Sequence, residues 1–598
     1  MKHQTCDTAH KFIAAVMTVI FIFILLAANA WADDTSDTLD YDQLLFDNSY
    51  VHTINISISE EDWADLLSQP TKKIKYDVNV QIDGEEYEHV SFATKGNTSL
   101  SSVASSDSDR YSFKINMGYY VDSQTYHGLK KINLSNCYAD TTYMKDYLSY
   151  EIFKAAGVDA PLTSYVQLSI NGEVFGLYLA IEDISKSYLK RTQDGEGELY
   201  KPSSGIDNIN EDPEGFEMPE GFEMPEDFET PEGSEMSDVS ETPEGSESSD
   251  GSGPAAASGD SQSDSSSGDS QGDSSSGESA GSFSFAPGNM NTSSGEDLKY
   301  IDDSPSSYSG IFDNAETNIS DNDQEKVISA LKNLSEGNVS EALDTDEVIR
   351  YFAAHNFVMN YDSYTGTMLH NYYLYENDGL LSMLPWDYNL AFGSFMSMAI
   401  GSEDNATNIV NYGIDTPLSG SSEEDRPMWS WIVNDDDYLE QYHAVYDELL
   451  ESYFESGTFE QEIQRVYEMI RPYVESDPSA FFTVEQFDSG YENLKNFCLL
   501  RAESIRKQLN GTLSSSTDEQ ADSDKVDASS VDISATGSMG MSLFGSDSFG
   551  GFSGFGDFSA APGDSSGFGD FSAAPGDSTG SRGSDDSLNT ETAVNSEN

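Results

Sequence analysis

Two aspartates 25 positions apart, Asp362 and Asp387, sit in the stretch NYDSYTGTMLHNYYLYENDGLLSMLPWDYNLAF, Asn360 to Phe392. Asp362 follows an amphipathic segment and opens a loop with Gly366, His370 and Asn371. Asp387 follows Pro385-Trp386 at the end of an apolar run. Between them the sequence predicts a hairpin: Tyr372 to Glu376, a turn at Asn377-Asp378-Gly379, then Leu380 to Leu384. Asp-Gly between apolar runs is a strong hairpin signal. Closing that hairpin brings its ends together, so that Asp362, Asn371 and Asp387 line one site. One carboxylate to activate a hydroxyl, with an Asn and an Asp to hold a metal, is the residue set of phosphoryl transfer.

Such a site needs elements to hold it. Period-two apolar spacing at Val51 to Ile58, Ile74 to Ile82 and Tyr87 to Ala93, with a turn at Asp83-Gly84, predicts an antiparallel sheet. Lys95-Gly96-Asn97-Thr98-Ser99 breaks the pattern and starts a hydroxyl-rich stretch to Asp109. It reads either as a surface loop or as a loop whose N–H groups cover phosphates. Two strands follow, Tyr111 to Met117 and Leu129 to Ser135. Lys114 and Lys131 lie among their apolar residues; they either snorkel to solvent or, with Asn133, face a cleft. Asp140 caps a helix over Thr141 to Ala156, which carries Glu151. Tyr165 to Ile170 and Val174 to Ile181 flank Asn171-Gly172, the clearest hairpin in the chain, ending at Glu182-Asp183. Beyond residue 297 the pattern is helical: Asp323 to Ser335, Asp346 to Asn360, Met428 to Val433, Tyr438 to Ser456, Thr458 to Arg471 and Val484 to Leu509.

The chain has 598 residues and a formal charge of −78. That balance argues against nucleic-acid binding, which needs a basic footprint. Much of the charge lies in two low-complexity regions. Residues 202–296 contain no Lys or Arg, repeat PEGFEM from Pro213 and Pro219, and then run into Ser/Gly/Asp. With few aliphatic residues this insertion cannot offset chain entropy and is expected to be disordered. The same expectation covers residues 511–598, where GFGDFSAAPGDSS from Gly554 recurs at Gly567. Residues 1–32 carry Lys2 and Lys11, an apolar run from Phe12 to Ala30 and an Ala-Trp-Ala site. They read as a signal peptide or an uncleaved anchor, which places the rest outside the cytoplasm and gives no other membrane segment. Cys6 falls in that leader, and Cys137 with Cys498 makes neither a disulfide framework nor a zinc site.

Taken in order, KGNTS, YSFKINM, the run from His127 to Val158, SYVQLSINGEVFGLYLAIEDISKSYLKR, GELYKP, NYDSYTGTMLHNYYLY, PWDYNLAFG and RAESIRKQL resemble the CotH family of spore-coat protein H kinases. The resemblance spans residues 40–201 and 298–510. It implies an α+β, atypical protein-kinase-like two-lobed fold, with an antiparallel-sheet N-lobe in 40–201 and a mainly helical C-lobe in 297–510. It further implies ATP and Mg²⁺ or Mn²⁺ as cofactors, and Ser-rich coat or surface proteins as partners. By motif, Asp362 matches the catalytic aspartate and Asp387 the metal-binding one, with Asn371 in the metal shell. Lys131 or Lys114 is expected at the phosphates, Glu151 as ion-pair partner and Glu182 where a hinge meets adenine. Ordinary kinase signatures are absent: there is no G-x-G-x-x-G, H-R-D or D-F-G, and Asp362 and Asn371 are more widely spaced than D-x-x-x-x-N.

Two other functional classes compete with this one. A non-catalytic coat protein would keep only a binding core, and a carbohydrate-active enzyme would use Asp362 and Asp387 as a carboxylate pair. The serines of the chain's own low-complexity segments are tethered, flexible acceptors, so a phosphoryl-transferring chain is expected to modify itself there.

Overall fold

The computed structural model describes residues 39–203, 294–397 and 405–538. The leader, the bulk of the insertion and the repeats from Gly554 lie outside the described residues.

Seven strands come first: β1 (His52–Ser57), β2 (Tyr76–Ile82), β3 (Glu85–Lys95), β4 (Ser112–Asn116), β5 (Lys131–Ser135), β6 (Thr163–Ile170) and β7 (Glu173–Glu182). Their order is β1-β2-β3-β4-β5-β7-β6, and the sheet closes on itself. The closing pair is β1 with β6, parallel, with Ile54 opposite Leu168. All the other barrel pairs are antiparallel. The expected two-lobed kinase fold with a sheet N-lobe is therefore overturned: the N-terminal half is a closed barrel. The alternating residues explain why closure is stable. Ile54, Ile56, Val78, Val80, Phe92, Phe113, Ile115, Ile132, Leu134, Val166, Leu168, Tyr178 and Ala180 fill one interior. Closure also gives every strand two hydrogen-bonded neighbours, leaving no edge.

The tight turns follow the sequence. Asn171 and Gly172 have φ of 53° and 83°, and Asp378 and Gly379 have φ of 51° and 87°. Both residues positive is the geometry that Asn-Gly and Asp-Gly favour.

The outer face of the barrel is also apolar at β6 and β7. Tyr165, Leu177, Leu179 and Ile181 join a second, larger core. Around it pack α1 (Lys145–Ala155), α2 (Lys186–Thr192), α3 (Asp321–Ser335), α4 (Thr345–Val358), α5 (Pro427–Val433), α6 (Asp436–Leu449), α7 (Thr458–Glu475) and α8 (Val484–Leu509). A second sheet, β10-β9-β8, combines β8 (Glu198–Tyr200) with β9 (Tyr372–Asn377) and β10 (Leu380–Pro385). β8 and β9 lie on opposite sides of the insertion in sequence, so the parts before and after it are one folded unit.

Two local expectations change. Thr98–Ala104, expected as flexible loop, is a short helix with Leu100 and Val103 buried. Residues 511–538, expected as disordered, pack on the helices: Leu513, Val526, Ala528, Val531 and Ile533 are buried. Val526 N–H donates to Asn411 Oδ1 at 2.9 Å, and Thr141 N–H to the Thr536 carbonyl at 3.2 Å. Lys145, buried at the start of α1, donates to the Gly537 carbonyl at 3.0 Å. Five scattered apolar residues among acids carry no period, so the pattern gives no warning of them. Cys137 and Cys498 are buried free thiols.

Candidate active site

The hairpin β9–β10 does bring its ends together. Asn360 is fully buried between them. Its Oδ1 accepts from Asp362 N–H at 3.3 Å and its Nδ2 donates to the Asp387 carbonyl at 3.1 Å. One amide thus ties the Asp362 loop to the Asp387 loop.

The Asp362 carboxylate is oriented by its own loop. Asn371, at φ 59°, donates Nδ2 to Asp362 Oδ2 at 3.0 Å and to the Asp362 carbonyl at 2.8 Å. His370 Nε2 lies 2.8 Å from Oδ1. Gly366 permits the loop to turn, because a Cβ there would lie 1.9 Å from the Tyr361 carbonyl oxygen. Buried Arg426 clamps the same turn, with Nε donating to the Tyr364 carbonyl at 2.6 Å.

Asp387 sits in the left-handed region, φ 59°, a conformation costly for a non-glycine residue unless its surroundings impose it. Helix α1 does so. Asp387 N–H donates to the Tyr150 hydroxyl at 3.1 Å, and Tyr388 N–H to Asp146 Oδ1 at 2.6 Å. Asp146 and Tyr150 are four apart, on one face of the helix. Behind both loops, buried His355 of α4 bridges Tyr388 Oη and Thr365 Oγ1, each at 2.8 Å. Burial drives its pKa down to about 3, so the ring is neutral.

Charge converges on Asp387. Burial, then the Asp387 carboxylate, push Asp146 up to about 8. Lys95, stacked on Trp386 at 5.0 Å, is lowered by burial and by Lys201 and Lys114, against the pull of Asp387. Lys114 Nζ lies 2.8 Å from Asp183, and Lys131 Nζ 3.5 Å from Asp183 and 3.6 Å from Glu316. Burial alone would raise Asp183; Lys114, Lys131 and the Asn133 amide hold it well below the carboxylate range.

The structure therefore brings Asp362 and Asn371 together and joins their loop to Asp387. It puts Lys114 and Lys131 on a common partner, but that partner is Asp183. Glu151, the expected one, pairs instead with Lys154 at 2.8 Å within α1. The Glu182 carboxylate accepts from Tyr41, Leu162 N–H and Arg191, so it has no oxygen left for a base. Sequence reasoning missed Asn360, Asp146, Asp183, Lys95 and His355. Only Lys95 had a usable signal, as the basic residue opening KGNTS.

Among the described residues no group of three or more His, Cys, Asp or Glu could hold a metal. Asp387 and Asp146 are two carboxylates whose charges act on each other at the end of the hairpin. Mg²⁺ is held by one or two carboxylates together with substrate phosphates, rather than by an all-protein cage.

Comparison with known proteins agrees with this arrangement of motifs. Residues 92–248 and 272–505 match the family described as CotH kinase protein. The chain belongs to that family. A more particular relative is the inner spore coat protein H of Bacillus subtilis (strain 168), 21% identical over 393 residues, covering 65% of this chain and 81% of that protein.

Proposed function

We propose that the chain transfers the γ-phosphoryl group of ATP to serine hydroxyls of spore-coat or cell-surface proteins. The observation that carries this reading is the junction at Asn360, which ties the Asp362 loop to the Asp387 loop beside Asp146 and Lys95. Asp362, oriented by Asn371 and His370, accepts the hydroxyl proton of the acceptor serine. Lys95, Lys114 and Lys131 offset phosphate charge, with Asp183 fixing the last two in place. Asp387 and Asp146 would hold a divalent cation, with Asn371 adjoining them through the loop; the cation supplies charge neutralisation between phosphates.

The spore-coat setting is proposed from the name of the Bacillus relative. Serine-bearing segments of the chain itself, such as Ser265-Ser266-Ser267, are proposed as further acceptors. The deciding experiment incubates purified protein and a Ser-rich coat protein with γ-labelled ATP and Mn²⁺. Label on protein, abolished in Asp387→Ala, is the expected result. Equal label in the variant refutes the assignment, and no label in the wild type supports a binding protein instead.

A further inference from the structure

The chain is acidic almost everywhere, with 107 Asp and Glu against 29 Lys and Arg. Thr71-Lys72-Lys73-Ile74-Lys75 is a local exception, with three lysines in four positions. The segment leads into β2 and is held on both sides. Thr94 Oγ1 donates to the Pro70 carbonyl at 2.5 Å, and Lys73 Nζ to Asn97 Oδ1 at 2.7 Å. On the other side, Tyr120 Oη donates to the Lys75 carbonyl at 3.0 Å, and Lys75 Nζ lies 4.8 Å from the Tyr119 ring centre. The lysines thus stand between the KGNTS segment, whose Lys95 faces Asp387, and an aromatic tip on the connection between β4 and β5.

That tip is unusually bare. Ile74 is 37% exposed, Tyr119 48%, Tyr120 43% and Val121 39%. Four adjoining large apolar residues at these levels are a patch, not scattered singles. The nearby acids have partners of their own: Asp77 faces His89 at 3.0 Å and Asp122 faces Lys130 at 3.2 Å. Lys72 and Lys75 make no ion pair among the described residues. The surface therefore offers positive charge interleaved with exposed rings, the complement of an acidic segment that carries aromatic residues.

The chain contains such a segment. In PEGFEMPEGFEMPEDFE, Phe216, Phe222 and Phe228 recur every six residues, each followed by a glutamate. The Ser/Asp runs from Asp260 to Glu278 are also acidic, though less densely, and contain no ring. We infer that the acidic Phe repeats at 213–229 dock in cis on the patch formed by Lys72, Lys73, Lys75, Tyr119 and Tyr120. Tethering within one chain gives the repeats a high effective concentration there, so weak contacts suffice. Docking brings the insertion beside the KGNTS segment, and it does not depend on whether the Asp362 site turns over ATP.

The test uses the full chain with benzoylphenylalanine replacing Phe222, illuminated at low ionic strength and mapped by mass spectrometry. Cross-links within one chain are expected on residues 70–76 and 118–122. Their yield should fall about fivefold in Lys72→Glu/Lys75→Glu and in Tyr119→Ala, and on adding salt. These positions are exposed, so melting temperatures should match the wild type and exclude misfolding as the cause. Cross-links spread over the surface, yields indifferent to the variants, or capture mainly between two copies would each overturn the inference. So would stronger capture of the patch by the same probe at Phe558 of the C-terminal repeats.

Discussion

His355 offers a sharp test of how the two aspartate loops are held. Its ring is fully buried and neutral, joined to Thr365 on one side and Tyr388 on the other. An unfolded histidine titrates near 6.5. The folded ring, lowered to about 3, stays neutral well below that. Between these values the unfolded chain binds a proton that the native chain does not, so falling pH favours unfolding. At 1.36 kcal/mol per pH unit, acidification from 6.5 to 5 removes about 2 kcal/mol. In His355→Gln that loss is absent. At pH 7.5 the variant should be less stable by about 1–3 kcal/mol, because buried partners lose their hydrogen bonds. The gap between wild type and variant should then narrow by about 2 kcal/mol at pH 5. Urea unfolding followed by tryptophan fluorescence at both pH values measures it. A gap that stays constant would refute the neutral buried ring.

Further outcomes follow from the same geometry. Asp362→Asn should retain ATP binding while transfer falls about 10²–10⁴-fold in single-turnover assays, the usual contribution of a general base. Arg191→Met leaves the buried Glu182 carboxylate without its cation and should cost about 3–5 kcal/mol in denaturant unfolding. Truncation after Asn510 removes buried Leu513, Val526, Val531 and Ile533 and should lower the melting temperature markedly, whereas truncation after Ser538 should leave it unchanged.

Much of the site's scaffold was legible because it is local. Asn171-Gly172 and Asp378-Gly379 specify their turns through φ alone, and the central hairpin follows from that. Asp362 and Asn371 are nine positions apart on one loop, so their contact is local as well. What could not be read was set by tertiary partners. Glu151 and Asp146 lie on the same helix, and no periodicity says that Asp146 meets Tyr388 while Glu151 turns to Lys154. Glu182 and Asp183 are adjacent, and strand alternation sends one to Arg191 and the other to the lysines. The barrel escaped for a related reason. Period-two spacing identifies strands, but the parallel β1–β6 pair joins segments over a hundred residues apart and leaves no local trace.

The strand order has a consequence for biosynthesis. Every strand of the barrel lies between His52 and Glu182, so all seven are made before the ribosome reaches the insertion and none needs a strand from beyond it. The small sheet differs: β8 must wait for β9, which is made only after the insertion and after α3 and α4. The barrel strands are thus complete in the chain well before the hairpin between Asp362 and Asp387 that pairs with β8, and α5 to α8 are made later still. Because closure cost grows only by about 0.6 kcal/mol per doubling of loop length, the stretch between those events can lengthen or shorten between related chains with little penalty. A repeat expansion at this point in the gene would alter what the protein displays while leaving its folding route intact.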